Sequence, residues 1–140
     1  MSFRITETPI DTDALKSKLE HPKSGACLVF EGWVRDHNDG KSVDRLEYSA
    51  YKALANKEGQ RIIEEAKQKF DIELAFCEHR IGTLEIGDMA VWAGVSSGHR
   101  GSSFDACRYI IDEVKARVPI WKKEHYAEGT TDWINCASTP

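Results

Sequence analysis

The sequence predicts an α+β protein in which helices pack on a mainly antiparallel sheet. Two long stretches carry apolar residues at helical spacing, and shorter segments between turn signals show the patterns of strands. The chain has 140 residues, with no internal repeat and no linker-like segment. Because a chain of this length typically forms one domain, we expect a single domain over residues 1–140.

The first half of the chain predicts three strands, a short helix and a long helix. In order these are a strand over 1–8, a helix from Asp11 or Thr12 to about Glu20, a strand over 25–35, a polar turn over 36–40, a strand over 43–51 and a helix from about 52 to 70. Residues 27–30 are apolar on both faces, which predicts a central strand. Gly59 lies on the apolar stripe of the long helix, which indicates close packing against a neighbour.

The second half predicts more strands around a third helix. In order these are a strand over 72–81 with Ile72, Leu74 and Phe76 on one face, a turn over 85–88, a strand over 89–97, a helix capped by Ser102, and short strands over 120–126 and 130–135. The third helix ends at Pro119, and its predicted core stripe is Phe104, Cys107, Ile111, Val114 and Val118.

The charge pattern excludes some function classes and favours another. The net charge is −4, whereas a broad nucleic-acid surface requires a basic protein. No apolar run reaches the length of a membrane span, and charges within the first twenty residues argue against a secretory leader, so we expect a cytoplasmic protein. Residues 95–125 hold six bases and four acids, so the rest of the chain carries −6. This local excess predicts a small anionic ligand, unless it is only a solvated helix face.

The four cysteines give little support for a metal or redox site. Their spacing contains no C-x-x-C pair, and we predict neither a metal nor a cofactor. Cys27, Cys77 and Cys107 lie among apolar residues and are expected to be buried thiols, whereas Cys136 lies in a polar tail, where it can be exposed.

Three groups of residues are candidates for chemistry. The segment 97–103 (SGHRGSS) joins a strand to a helix, and a helix N-terminus with Arg100 beside His99 suits an anion. A surface ion pair and a structural histidine are the alternative. Arg35 ends a strand, where it can reach a pocket or form an ordinary salt bridge.

The third group is Lys115 with the segment 119–124 (PIWKKE). Lys115 borders the apolar stripe of its helix, so partial burial is expected to lower its pKa and suit it to proton transfer. In a strand, Lys122 and Glu124 share one face and Lys123 faces the other way. The alternative is a lysine that only favours the helix C-terminus, followed by a solvated strand.

Together these groups resemble the family of large, catalytic subunits of molybdopterin synthase. The matching stretches run in order along the chain: 30–38 (FEGWVRDHN), 46–48 (LEY), 79–82 (HRIG), 87–88 (GD), 97–100 (SGHR) and 119–124 (PIWKKE). The resemblance implies an α/β-hammerhead fold. It also implies sulfur transfer from the C-terminal thiocarboxylate of a small ubiquitin-like subunit ending in Gly-Gly to cyclic pyranopterin monophosphate, which forms the molybdopterin dithiolene.

The resemblance also implies the residues of the site and the assembly. Lys115 and Lys122 are implied as catalytic, with roles that can be exchanged, while Arg35, His99 and Arg100 hold the pterin phosphate. The remaining substrate wall is implied to be Trp33, Val34, Lys123 and Glu124. The implied assembly is a heterotetramer around a dimer of large subunits. Some members contribute a tail arginine across that dimer, but this chain has no arginine after Arg117.

Two other functions fit the same residues. One is a non-catalytic module that binds a phosphorylated metabolite or a ubiquitin-like tail, because phosphate binding alone can use lysines and arginines. The other is a cysteine-based sulfurtransferase, which the sequence disfavours because the basic motifs contain no cysteine except Cys107, on a core stripe.

Overall fold

The computed structural model describes residues 1–127 and 129–138, and over these residues it confirms the α+β class. Three α-helices are present: α1 (Thr12–Ser17), α2 (Lys52–Lys69) and α3 (Arg100–Arg117). The longer strands are β1 (Ser2–Thr6), β2 (Ala26–Trp33), β4 (Lys41–Ala50), β5 (Leu74–Arg80), β7 (Met89–Ser97) and β8 (Ile120–Tyr126). The shorter ones are β3 (His37–Asn38), β6 (Gly82–Glu85), β9 (Gly129–Thr130) and β10 (Ile134–Asn135), before a 3₁₀ turn over Cys136–Ser138.

The first sheet has the strand order β1-β5-β7-β2, with β1 and β5 parallel and the other pairs antiparallel. Helices α2 and α3 pack against it to form the main core. Helix α1 packs a smaller apolar cluster, in which Leu15 and Leu19 contact Trp92. The close approach predicted at Gly59 is confirmed, since a Cβ atom there would lie 2.0 Å from Cδ1 of Phe3.

The second sheet has the order β10-β8-β4-β3, with β6 added to β4 and β9 added to β8. All of its pairs are antiparallel. The pairing of β4 with β8 sets Tyr48 opposite Lys122, next to the predicted site. No helix among the described residues is long and apolar enough to cross a membrane.

The prediction that β2 is a central strand is wrong. Among the described residues it pairs only with β7 and forms an edge of the first sheet. Leu28 packs against the main core and Val29 against the α1 cluster, so both faces of the strand are covered although one edge is open. A continuous apolar run therefore indicates that both faces of a strand are covered. It does not indicate that the strand has a neighbouring strand on each side. Cys27 is exposed, contrary to the prediction, and so is Phe30.

Helix α3 begins three residues earlier than predicted, with His99 rather than Ser102 as its N-cap residue. Its buried face carries the small residues Ser103 and Ala106, which the predicted stripe left out. Phe104 is consequently 57% exposed.

The strand predicted over 72–81 also differs from the structure. Ile72 lies before β5 and packs in the main core, whereas Leu74 and Phe76 pack against the α1 cluster, so the three do not share a face. Sequence reasoning missed β6, which has only four residues.

Candidate functional site

A cleft of about 420 Å³ lies between the C-terminal half of α3, the end of β2 and the strands β4 and β8. The backbone can approach closely here because Gly32 leaves no room for a Cβ atom, which would lie 2.6 Å from Val91. Most of the lining is apolar. The polar lining consists of Tyr48, His79, Asp112, Lys115, Lys122 and Cys136.

Lys115 reaches the cleft from the last turn of α3, one residue after the buried Val114. Burial lowers the pKa of its ammonium, and the positive charges of Lys122 and Arg35 lower it further. The nearby Cys136 acts in the opposite direction. A lysine with a lowered pKa exchanges protons more readily near neutral pH than an ordinary surface lysine.

Lys122 is the second cation of the cleft, and a buried carboxylate holds it. Its Nζ atom lies 3.2 Å from Oε1 of Glu124, which is only 2% exposed. Burial acts to raise the pKa of Glu124, but hydrogen bonds from Tyr126, Asn38 and Lys122 keep it below its ordinary value. Glu124 is therefore a charged partner of Lys122 at neutral pH.

Arg35 and Trp33 stand beside this cleft. Arg35 is exposed, and its Nη2 donates a hydrogen bond to Oδ1 of Asn38 at 3.2 Å. Its charge reaches the cleft, since it contributes to the lowered pKa of Lys115. Trp33 is 66% exposed and lines the cleft, with its indole N–H donated to Glu31 at 3.0 Å. The structure thus brings Trp33, Arg35, Lys115 and Lys122 together.

Three other residues implied as substrate contacts do not line the cleft with their side chains. Val34 is buried beside Leu84 and Ala90, because its side chain completes a small core cluster. Lys123 lies on the other face of β8, where its ammonium sits 5.0 Å from the ring centroid of Trp133. Glu124 stands behind Lys122 rather than on the wall.

His99 and Arg100 lie far from the two lysines within one chain. They are at the N-terminus of α3, and Lys115 is in its last turn. At 1.5 Å per residue, the helix separates Arg100 from Lys115 by about 22 Å. The expectation that all six basic residues, including Lys123, line one pocket therefore fails for a single chain.

Sequence reasoning missed four polar residues of the cleft: Tyr48, His79, Asp112 and Cys136. Burial lowers the pKa of His79 to about 4, and its Nδ1 pairs with the carbonyl of Arg80 at 2.8 Å. Burial likewise raises the pKa values of Tyr48 and Cys136. Tyr48, His79 and Cys136 are thus neutral at pH 7. The alternation of Leu46, Tyr48 and Ala50 was the available signal for Tyr48, whereas the polar tail gave none for Cys136.

The described residues contain no group of three or more His, Cys, Asp or Glu side chains that could hold a metal ion. A second cleft, of about 510 Å³, lies at the other ends of β2 and β7. Acids outnumber lysines in its lining, with Asp13 and Glu20 beside Lys16, whereas the first cleft has two lysines and one acid, Asp112. The cationic cleft at Lys115 is therefore the better candidate for an anionic substrate.

The fold and this cleft define an α+β protein with two lysines directed at one partly apolar pocket, a class suited to acid–base or acyl chemistry on an anion. Comparison with known proteins narrows the class. The sequence model of the family described as "MoaE protein" matches residues 5–117. The chain belongs to this family, the catalytic subunits of molybdopterin synthase.

Individual relatives agree over nearly the whole chain. The molybdopterin synthase catalytic subunit of Thermoplasma volcanium is 44% identical over 92% of this chain and 94% of its own. The crystal structure of molybdopterin synthase from Staphylococcus aureus superposes with a TM-score of 0.89 at 38% identity, over 94% of this chain and 96% of that one. A complex of subunits 1 and 2 of molybdopterin-converting factor from Helicobacter pylori shares the fold, with a TM-score of 0.76 at 21% identity over 97% of this chain and 90% of that one.

Proposed function

We propose that this chain is the sulfur-transferring subunit of a molybdopterin synthase. It takes sulfur from the C-terminal thiocarboxylate of a small ubiquitin-like subunit and delivers it to cyclic pyranopterin monophosphate, forming the dithiolene. The observation that carries the proposal is the convergence of Lys115 and Lys122 on one cleft in a chain that belongs to this family. The volume of about 420 Å³ is in the range of small-molecule sites.

The two lysines divide the work in this proposal. Lys115, with its lowered pKa, lies nearest the thiocarboxylate carbon, where it exchanges protons with the water that replaces sulfur on this carbon. It stabilises charge as the acyl–sulfur bond breaks and the tail is left as a carboxylate. Lys122, fixed by Glu124, acts at the pterin. The roles can also be exchanged. The neutral Tyr48 and His79 line the cleft without adding charge that competes with an anionic substrate.

The phosphate site needs a second copy of the chain. His99 and Arg100 lie about 22 Å along α3 from Lys115. If they bind the pterin phosphate, they serve the cleft of a neighbouring subunit, and two-fold symmetry makes the exchange reciprocal. The open edge of β2 and the exposed Phe30 and Phe104 are features that a dimer can cover.

The partner subunit inserts its tail into the cleft. An extended tail ending in Gly-Gly is slim enough to pass the rim at Trp33, and its thiocarboxylate is attracted by the two lysines. The Helicobacter pylori complex of two subunits supports a two-component assembly. Replacing the last glycine of the tail with a bulky residue should therefore block turnover, whereas unchanged activity would refute threading.

Reconstitution tests the function directly. The purified chain is mixed with thiocarboxylated small subunit and the pterin precursor, and the dithiolene product is quantified in a single turnover. The wild type should form it, and Lys115→Ala should lose about 10²–10⁴-fold in rate. Lys67→Ala, at an exposed position of α2, is the matched control and should react normally. A protein that binds both components but forms no product is a binding module instead.

A further inference from the structure

The side chain of Asn38 connects Arg35 to Glu124, the carboxylate that pairs with Lys122. Asn38 lies on β3, whose hairpin with β4 turns through Asp39 and Gly40, both at positive φ. Its Oδ1 accepts the hydrogen bond from Nη2 of Arg35 at 3.2 Å. Its Nδ2 lies 3.1 Å from Oε1 and 2.9 Å from Oε2 of Glu124, 86 residues further along the chain.

Glu124 extends this series of contacts from Asn38 to Lys122. The same Oε1 atom that accepts from Asn38 forms the 3.2 Å ion pair with Lys122. Tyr126 donates its hydroxyl to the other oxygen, Oε2. A continuous path of polar contacts therefore runs from Arg35 through Asn38 and Glu124 to Lys122.

The chemistry of this path requires a side chain at position 38 that both accepts and donates hydrogen bonds, as an amide does. The guanidinium of Arg35 can only donate hydrogen bonds, and the ionised carboxylate of Glu124 can only accept them. The residue between them must therefore accept on one side and donate on the other. A carboxylate would be repelled by Glu124, and an alanine would contact neither. Both functional ends of the Asn38 amide are thus occupied by charged partners.

We propose that Asn38 is a positioning residue for sulfur transfer, which ties Arg35 at the substrate phosphate to Lys122 at the reacting centre through Glu124. The inference rests on the proposed function, and it assigns a role that goes beyond the cationic residues themselves. Reacting groups misplaced by about 1 Å lose on the order of 100-fold in rate. A fixed Arg35–Lys122 spacing therefore converts phosphate binding into alignment of the pterin with the lysine.

Two substitutions of Asn38 distinguish its contact with Arg35 from its contact with Glu124. Asn38→Asp keeps an acceptor for Arg35 but sets a second carboxylate against Glu124, so kcat should fall about 10–100-fold while KM for the pterin stays nearly unchanged. Asn38→Ala removes the hydrogen bonds to both Arg35 and Glu124, so kcat should fall and KM for the pterin should rise. His37→Ala is the matched control, because His37 lies on the same short strand with its side chain exposed and paired to the neighbouring Asp36. Damage to the hairpin alone would lower the melting temperature in all three variants without this split between kcat and KM.

A second readout does not depend on turnover. Acetylation of Lys122 by acetic anhydride is measured by mass spectrometry, with the exposed Lys67 as internal reference. Asn38→Ala should speed the labelling of Lys122 several-fold, because Glu124 no longer has a fixed position. In a Glu124→Gln background, Asn38→Ala should add nothing, since the coupling passes through Glu124.

The outcomes separate the two hypotheses. A wild-type protein that forms no dithiolene refutes the proposed function, and the labelling of Lys122 still decides whether the link exists. A folded Asn38→Ala variant with wild-type kcat and KM overturns the inference and leaves the proposed function standing. Unchanged labelling of Lys122 in that variant overturns it as well.

Discussion

Replacing Arg117 with alanine removes the guanidinium that fastens the C-terminal end of α3 to α2. Arg117 donates to Glu58 at 2.7 and 2.9 Å and to Glu65 at 2.7 and 2.8 Å, and it reaches Glu113 on its own helix at 3.2 Å. The side chain is 27% exposed, so its contacts are screened only in part. Lys115 lies two residues before this clamp, which therefore also fixes one wall of the cleft.

The expected loss in the free energy of unfolding is large for a single residue that borders the surface. Each hydrogen bond between charged groups contributes about 1.5–3 kcal/mol when shielded and less when exposed, and removing Arg117 leaves three carboxylates close together. We expect Arg117→Ala to lower the free energy of unfolding by about 2–4 kcal/mol at neutral pH. Arg108→Ala is the matched control: its partner Asp112 lies 3.4 Å away and its side chain is 84% exposed, so the loss should stay below about 0.5 kcal/mol.

The same contacts predict how this loss depends on pH. Hydrogen bonds from Arg117 and Tyr109 lower the pKa of Glu65 to about 2, from an ordinary value of 4.5. A carboxyl whose pKa is lowered by folding stabilises the protein above its unfolded pKa, and this contribution is lost as the pH falls through the folded pKa. The difference between wild type and Arg117→Ala should therefore narrow between about pH 5 and pH 2.

Urea unfolding followed by tryptophan fluorescence measures both effects, at neutral pH and again at about pH 3. Arg117→Ala should shift the midpoint strongly at neutral pH and much less in acid. If Arg117→Ala costs no more than Arg108→Ala at neutral pH, the clamp contributes nothing and the reasoning from these contacts is refuted.

Three further predictions concern the cleft. Lys115→Met should abolish single-turnover transfer without lowering the melting temperature at neutral pH. Folding lowers the pKa of Lys115, so its charged ammonium destabilises the folded protein at neutral pH. This destabilisation, and any gain in melting temperature that Lys115→Met brings, should fade as the pH rises towards 10.5. Arg35→Ala should raise KM for the pterin about tenfold or more in steady-state kinetics, while partner binding measured by calorimetry stays intact. Cys136→Ser should keep sulfur transfer, because burial raises the pKa of the thiol and disfavours the thiolate; loss of transfer by a folded Cys136→Ser protein would instead point to cysteine chemistry.

Local pattern was enough to locate most of the elements. The strand at 120–126 and the helix from residue 52 have their predicted positions, because alternation and the apolar stripe record which side chains are buried. The same pattern does not record what covers a face. Residues 27–30 gave the signature of a central strand because α3 and α1 cover the two faces of an edge strand.

The candidate site was predicted only in part, for a similar reason. An apolar boundary and a strand alternation, both of which are local, marked Lys115 and Lys122 only as candidates, and the family resemblance implied their catalytic role. The contact between Asn38 and Glu124 spans 86 residues and depends on a hairpin that folds back onto β8, so no local pattern contains it. Cys136 enters the cleft by way of a 3₁₀ turn after β10, which a polar tail does not reveal.

The length of α3 has a genetic consequence. If every complete cleft takes Lys115 from one chain and Arg100 from the other, the two substitutions Lys115→Ala and Arg100→Ala fall on opposite ends of the same rigid helix. A mixed dimer of the two impaired variants then contains one doubly damaged cleft and one intact cleft. With random pairing, half of the dimers are mixed, so at a pterin concentration well below KM the co-expressed chains should recover about a quarter of the wild-type activity. Two defective alleles of this gene would complement each other, whereas two alleles that both damage the Lys115 end would not.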